Sequence, residues 1–388
     1  MSISVGCLAG RPAFLLARHF LDVQGVSMRR FVIAACAAGL GIALSSGTAA
    51  SAWASTTIVV GPGQSIQAAV NAASPGDTVL IKPGVYHQSV QIRTDGITLR
   101  GSGAFSGGTV LVPPNSFPKT LCNVAMGPTG VCILAKNVDP KTGTVITPVN
   151  DDTVTGLLVT GFPANGVFGY GTDGLTVTRV TATNDGGYGI SRFVSSRTLF
   201  ADDVAIGNDE AGFYVGDSPQ ADTVVRDDQA YGNQFGIFVR HARHVLVTDN
   251  HVSGNCQGIL VLDDGQSGGA GNAIIVDNSV LNNNKFCAKS GDTPVSTQGG
   301  GILLLGATQT LVTYNFVAGN QGHQFNSGGI VVLSASAISH GSKPNYDTIA
   351  RNTAFRDHPA DLRWDGSGIG VRFRANHCQT SVPSGLCH

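Results

Sequence analysis

Asp217, His241 and Asp263 each stand four residues after an apolar residue (Phe213, Ile237 and Ile259) that itself follows a glycine. The chain therefore offers a carboxylate, an imidazole and a carboxylate at matched positions. Neighbouring strands in a sheet lie about 4.8 Å apart, so such positions on consecutive strands form a ladder. Asp264 follows Asp263, Arg240 precedes His241, Tyr214 follows Phe213, and Arg192 lies in the unit before. Acid, base and cation types on one rigid face are suited to moving a proton. The proton at C5 of a uronate sugar, next to a carboxylate, is weakly acidic. It leaves only when a cation neutralises that carboxylate and a base and an acid flank the ring.

On this reading Arg240 holds the sugar carboxylate and His241 is the base. Tyr214 faces outward and handles the second proton, and Asp217 orients His241 or binds a metal. Arg192, Asp263 and Asp264 contact the substrate. A bound cation such as calcium can assist; no other cofactor is expected. A different use of the same residues is hydrolysis by a carboxylate pair. Asp217 and Asp263, two strand spacings or roughly 9–10 Å apart, have the separation of an inverting pair.

These residues sit in a repeat. DNHVSGNCQGILV (249–261) and DDQAYGNQFGIFV (227–239) agree at an offset of 22, and DDVAIGNDEAGFYV (202–215) keeps the Gly-Asn corner. The glycine before the inward residue falls at 166, 189, 212, 236 and 258, in steps of 23, 23, 24 and 22. A fixed period in this range means a solenoid. An asparagine column (184, 208, 233, 255, 283 and 320) marks one turn, where stacked amides bond each other and the backbone. Asp202-Asp203 and Asp227-Asp228 are expected at another turn, as solvated corners. The regular units run over about 151–275. Later spacings are longer, and the extra residues lie in 287–298 and 334–345. His323, His340 and His358 fall in separate irregular stretches, without metal-site spacing.

The chain has 388 residues, a formal net charge of −1 and 13% charged residues, with 52 glycines. Such balance gives no long-range attraction to nucleic acid or an anionic membrane. MRRFVIAACAAGLGIALSSGTAASAWA (28–54) reads as a secretory signal peptide ending in a small-x-small site, with the mature chain starting at Ser55. Residues 1–27 read as an upstream extension. No membrane insertion is expected after cleavage, and the mature protein is expected to be a secreted, extracellular monomer acting on polysaccharide. The leader removes two of the eight cysteines. Six allow fifteen pairings; proximity favours Cys122–Cys132, Cys256–Cys287 and Cys378–Cys387, and export permits them.

The body, 55–388, reads as one all-β domain. Gln64 to Ala73 has helical periodicity, suited to capping the open edge of the first coil. Residues 113–150, rich in proline, read as a long loop. The entry SIQAAVNAASPGDTVLIKPGVY and the x-N-x-x-x-G-I-x-V coils resemble the right-handed parallel β-helix of the pectate-lyase-like superfamily, over most of 56–378. That resemblance implies a right-handed parallel β-helix solenoid with an N-terminal capping helix. It implies lyase or C5-epimerase chemistry, with glycan-binding or NosD-like accessory proteins as the non-catalytic alternative. Mannuronan C5-epimerases carry Tyr-Gly-Phe-Asp-Pro-His. Here Tyr214-Val215-Gly216-Asp217-Ser218-Pro219 keeps the tyrosine and aspartate, and Pro219 stands where the histidine would be. The polygalacturonase-type pattern is matched only by Asp263-Asp264, Gly322-His323 broken by Gln324, and Arg372-Phe373-Arg374.

Overall fold

The computed structural model describes residues 55–290, 293–338 and 341–387. The expected signal peptide and upstream extension lie outside the described residues. Three long parallel sheets of twelve, ten and eleven strands carry the body. The first runs from Thr57–Val60 to Arg372–Arg374, the second from Gly84–His87 to Thr353–Phe355, and the third from Val90–Ile92 to Ser381–Val382. Each coil gives one short strand to each sheet in turn, so the chain is a three-sided parallel β-helix.

Short strands with one or two inward apolar residues suffice because the coils stack in register. Phe213, Ile237, Ile259, Ile302 and Ile330 pair in sequence along the third sheet. All five are fully buried in one core that runs the length of the solenoid. The glycine before each inward residue is required by close approach. A Cβ on Gly236 would lie 2.3 Å from Val252 and 2.7 Å from the carbonyl oxygen of Gly258.

The asparagine column is a hydrogen-bonded ladder. The side-chain amides of Asn208, Asn233, Asn255 and Asn283 each donate to the next Oδ1 at 2.8–3.1 Å. Asn320 donates to Asp357. Asn184 is not part of it. It is exposed with φ 55°, and Asp185, one residue later, takes the buried position, its N–H donating to Asn208. A second ladder runs through Asn250, Asn278, Asn315, Asn352 and Asn376. It continues upward through Asp228 and Asp203. The expectation of solvated corners therefore holds for neither Asp203 nor Asp228, which are buried. Removal from water pushes both carboxyls well above the usual range, helped at Asp203 by the Asp228 charge and at Asp228 by Asp202 and Asp227.

A helix, Ile66–Ala72, begins at the Ser65 cap and buries Ile66, Ala69 and Val70. Gln67 bonds both backbone groups of Gln91 at the end of the third sheet. The segment 113–150 is more than a loop. Val131–Leu134 is a full rung of the third sheet, between Val90–Ile92 and Val167–Tyr170. A helix, Leu121–Ala125, and a small antiparallel pair, Asn137–Val138 with Val145–Thr147, flank it. Four-residue VCIL was hidden by the prolines around it. Cys122 pairs with Cys132, Cys256 with Cys287, and Cys378 with Cys387. Among the described residues no helix is long and apolar enough to cross a membrane.

Candidate active site

Two eight-residue strands of the third sheet, Ala211–Ser218 and Phe235–Ala242, position the charged residues. They pair at Gly216–Arg240 and again at Ser218–Ala242. Between those pairs Asp217 (φ 50°) and His241 (φ 47°) take the left-handed conformation. Aspartate and histidine tolerate it better than most residues. The two side chains leave the sheet at the same point on successive coils.

Nδ1 of His241 lies 3.0 Å from Oδ1 of Asp217, and Nε2 contacts Oδ1 of Asp264. Oδ2 of Asp264 accepts from Arg240, from Nη2 at 2.6 Å and from Nε at 3.1 Å. The ladder is thus Asp217–His241–Asp264–Arg240. Asp263, expected as the third rung, turns away. It is buried, and its Oδ1 accepts from the Gly265 N–H at 3.0 Å.

The ring of His241 is buried between the two carboxylates. Burial alone would lower its pKa; the hydrogen bonds to Asp217 and Asp264 outweigh that and raise it. Both ring nitrogens are thus engaged by carboxylate oxygens. His241 therefore positions Asp217 and Asp264, and it does not present a free nitrogen as the expected base would. Burial would raise the Asp264 carboxyl, but Arg240 and His241 hold it below its ordinary value. The side chains of Asp217, at 39% exposed, and Arg240, at 33%, are the parts of the network that a ligand can reach.

Arg192 does not reach the surface. Counting by twos from inward Ile190, it points into the helix core, at the column of Ile133, Val215 and Val239. It is fully buried. Its guanidinium donates to Ser195 O, Ala221 O, Thr223 Oγ1, Thr198 Oγ1 and the hydroxyl of Ser218. Burial lowers its pKa to about 9. Its role is to tie turns together, and the expected contact with substrate is absent.

Tyr214 faces outward from the coil, as expected, yet it is buried in a second apolar cluster with Phe238, Leu260, Leu303 and Val331. Its ring stacks on Phe193 at 4.5 Å and meets Tyr188 at 4.5 Å. It folds back over Gly216, where a Cβ would lie 2.1 Å from the ring. The hydroxyl lies by the Arg240 guanidinium. Burial and then the Asp217 charge push its pKa upward, and Arg240 opposes the shift.

Sequence reasoning missed what lies next to this. Phe168, Tyr170 and Phe193 stand at outward positions of the third sheet, and with Tyr188 and Glu210 they wall a cavity of about 340 Å³. The Tyr188 hydroxyl donates to Glu210 Oε1 at 2.6 Å. The 113–150 segment closes one side: Met126 lines the cavity, and Gly143 O accepts from the Tyr170 hydroxyl at 2.6 Å. The alternation of strand residues was the available signal. Elsewhere His323 and His358 come together, rings 4.9 Å apart, beside Asn284, Gln298 and Gln321; His340 lies outside the described residues. Among the described residues no group of three or more His, Cys, Asp or Glu side chains is arranged to hold a metal ion. Arg372 and Arg374 lie in the first sheet, apart from the Asp263-Asp264 turn.

A family described as right handed beta helix region matches residues 165–343. No curated protein matches the chain. Among solved structures, a periplasmic alginate epimerase superposes with a TM-score of 0.52 at 13% identity, covering 78% of this chain and 62% of that one. The chain thus spans less than two thirds of that epimerase. DFA-IIIase from Arthrobacter chlorophenolicus A6, solved with DFA-III, superposes with a TM-score of 0.50 at 11% identity, covering 78% and 74%. Likeness at this level is one of fold. The chain has the right-handed parallel β-helix fold.

Proposed function

We propose that this chain is an exported carbohydrate-active protein that removes the C5 proton of a uronate-containing polysaccharide, as a lyase or C5-epimerase. The observation that carries the reading is Arg240: a partly exposed guanidinium, fixed by Asp264 and set beside the buried Tyr214 hydroxyl. Its remaining N–H groups suit a sugar carboxylate. Asp217, the exposed carboxylate, takes the C5 proton. In the lyase the C5–H electrons form the C4–C5 double bond, the C4–O bond breaks, and the leaving oxygen takes a proton from solvent. In the epimerase a proton returns from solvent to the opposite face of C5, and the buried Tyr214 hydroxyl backs Arg240. His241 holds Asp217 in place. Three disulfides suit an oxidising, extracellular setting.

The test is the chain from Ser55, with calcium present, on alginate, pectate, hyaluronan and neutral glycans. Ultraviolet absorbance follows unsaturated ends, and proton NMR follows epimerisation. A signal on a uronate polymer that disappears in Arg240→Ala and Asp217→Asn supports the reading. Turnover that survives both substitutions overturns the site.

A second reading is hydrolysis, favoured by the excess of carboxylates around Tyr214. Asp217 and Glu210 both act on its hydroxyl, and Glu210 replaces the turned-away Asp263 as the second carboxylate. New reducing ends without unsaturation would select it.

A further inference from the structure

We infer that the last coils carry a second, non-catalytic docking surface for an acidic polysaccharide, an arginine and aromatic corner between the first and second sheets. The inference rests on the glycan reading above and adds to it a binding surface outside the Arg240 network.

The corner is built by stacking. Arg372 and Arg374 flank inward Phe373 on the last strand of the first sheet, so both point outward. One coil earlier Ala350 pairs with Arg374, and Arg351 follows at the turn. Its guanidinium lies over the ring of Tyr314 from the coil before, 5.7 Å from the centroid. The chain then enters the second sheet as Thr353–Phe355. Phe355 meets Phe316 edge-on at 5.3 Å, and the Arg356 guanidinium lies 5.8 Å from the Phe355 ring. All four arginines are exposed, as are Tyr314 at 41% and Phe316 at 43%. The turn column that ends at Arg356 holds Gly207, Gly232, Gly254, Asn282 and Gly319 on the coils before it, all at positive φ. Arginine at φ 59° is the departure from that pattern, and what it adds is a cation.

The acids of these coils do not neutralise the corner. Among the described residues none of the four arginines forms an ion pair with a carboxylate. Asp347, Asp357 and Asp361 are buried and accept from backbone N–H groups. Asp365 follows the third-sheet strand and accepts from Ser334 and Ser367. Along the turn column the preceding acid is Asp277, two coils or roughly 9–10 Å from Arg351.

Such a surface selects a polyanion that also has apolar faces. Guanidinium groups bind carboxylates through paired N–H donors, and the exposed rings suit the C–H face of a sugar. A polyuronate supplies both. Arg351 and Arg356 bracket the strand Thr353–Phe355, with Cα atoms about 15 Å apart at roughly 3.3 Å per residue. A run of sugars spans that separation and a single ring does not. With a net charge of −1 on the chain, the attraction is local and weakened by salt.

Biolayer interferometry tests this without requiring turnover. The chain from Ser55 is passed over immobilised polymannuronate, polygalacturonate, neutral dextran and duplex DNA at low salt. Each measurement is repeated with Arg240→Ala, which removes the polymer contact proposed at the charged network. Replacing Arg351, Arg356, Arg372 and Arg374 together by glutamine is expected to weaken polyuronate binding at least about tenfold in both backgrounds, the summed scale of four exposed ion pairs. Thr348→Arg sets a further arginine beside Arg372, its register partner, and is expected to strengthen binding, a gain that a misfolded variant cannot produce. Polyuronate binding that neither change alters overturns the surface, and so does absence of binding to both polyuronates. Duplex DNA bound more tightly than either polyuronate, and released by the four substitutions, overturns the assignment to a glycan. Failure of the C5 reaction with these binding results intact would overturn only the reaction proposed above.

Discussion

Asp217 and His241 occupy the same left-handed turn position on successive coils, and the carboxylate of the first meets Nδ1 of the second at 3.0 Å. Because Asp264 grips the other nitrogen, His241 is the keystone of a network whose outer members are exposed. Replacing it with alanine leaves Asp264 and Asp217 as neighbouring carboxylates around a void. His241→Ala is expected to cost about 3 kcal/mol, the scale for breaking a buried charge pair. Urea unfolding measures this, and a cost near zero would show that the ring does not carry the network.

Gly216 carries the ring of Tyr214. Any Cβ there overlaps the phenol, so Gly216→Ala is expected to expel Tyr214 from its stack with Phe193 and Tyr188. The near-ultraviolet circular dichroism should fall while the far-ultraviolet signal stays.

Asn255 stands in mid-ladder. Its Oδ1 accepts from both the backbone N–H and the amide of Asn233, and its own amide donates to Asn283 and Ala230. Asn255→Ala orphans the buried donors of Asn233 on one side and takes a donor from the Asn283 and Ala230 oxygens on the other. The expected loss is roughly 3 kcal/mol, read from the urea midpoint. The exposed Asn184→Ala should change it by less than about 0.5 kcal/mol.

Buried aspartates make the solenoid an acid-favouring structure. Burial raises Asp185 to about 8 and Asp152, Asp347 and Asp357 to about 7. In the folded state these carboxyls keep protons that the unfolded chain has released above about pH 4. A raised folded pKa means that stability falls as pH rises from about 4 through 7–8. His241, also raised, acts in the same direction, losing its contribution above its ordinary range. Urea midpoints measured from pH 4 to pH 8 should therefore decline. Asp185→Asn, which keeps the acceptor for the Phe162 N–H, should flatten the slope. A midpoint rising with pH over this range would contradict the assignment.

Much of this was legible before the structure. The period of 22–24 residues gave the solenoid, the inward apolar column and the asparagine turn. The equivalence of Asp217 and His241 also followed, because each coil repeats one backbone path. What failed did so where a count slipped by one. Arg192 shares parity with Ile190 and so points inward, a consequence of strand alternation that its charge obscured. Asn184 is one residue short of the ladder, which counting from inward Ala182 would have placed at Asp185. Asp263 and Asp264 lie at the end of the strand Gln257–Leu262, where the backbone departs from the repeat and the second aspartate reaches the histidine. The aromatic cavity was invisible for another reason: its walls come from three coils and the 113–150 segment, and no single motif joins them.

The left-handed position that holds Asp217 and His241 recurs at Gly171, Val194 and Gly306. The coils of Gly171, Val194, Asp217, His241 and Gly306 thus offer addresses on the same line, at a pitch set by backbone hydrogen bonds. Val194, a branched residue at φ 49°, is the vacant lot beside Asp217. A polar residue written there would lengthen the charged row by one coil toward the aromatic cavity while leaving every existing rung untouched. The solenoid in this sense is a printed line of text. Reaction and specificity can be respelled one character at a time, and the spacing between characters never changes.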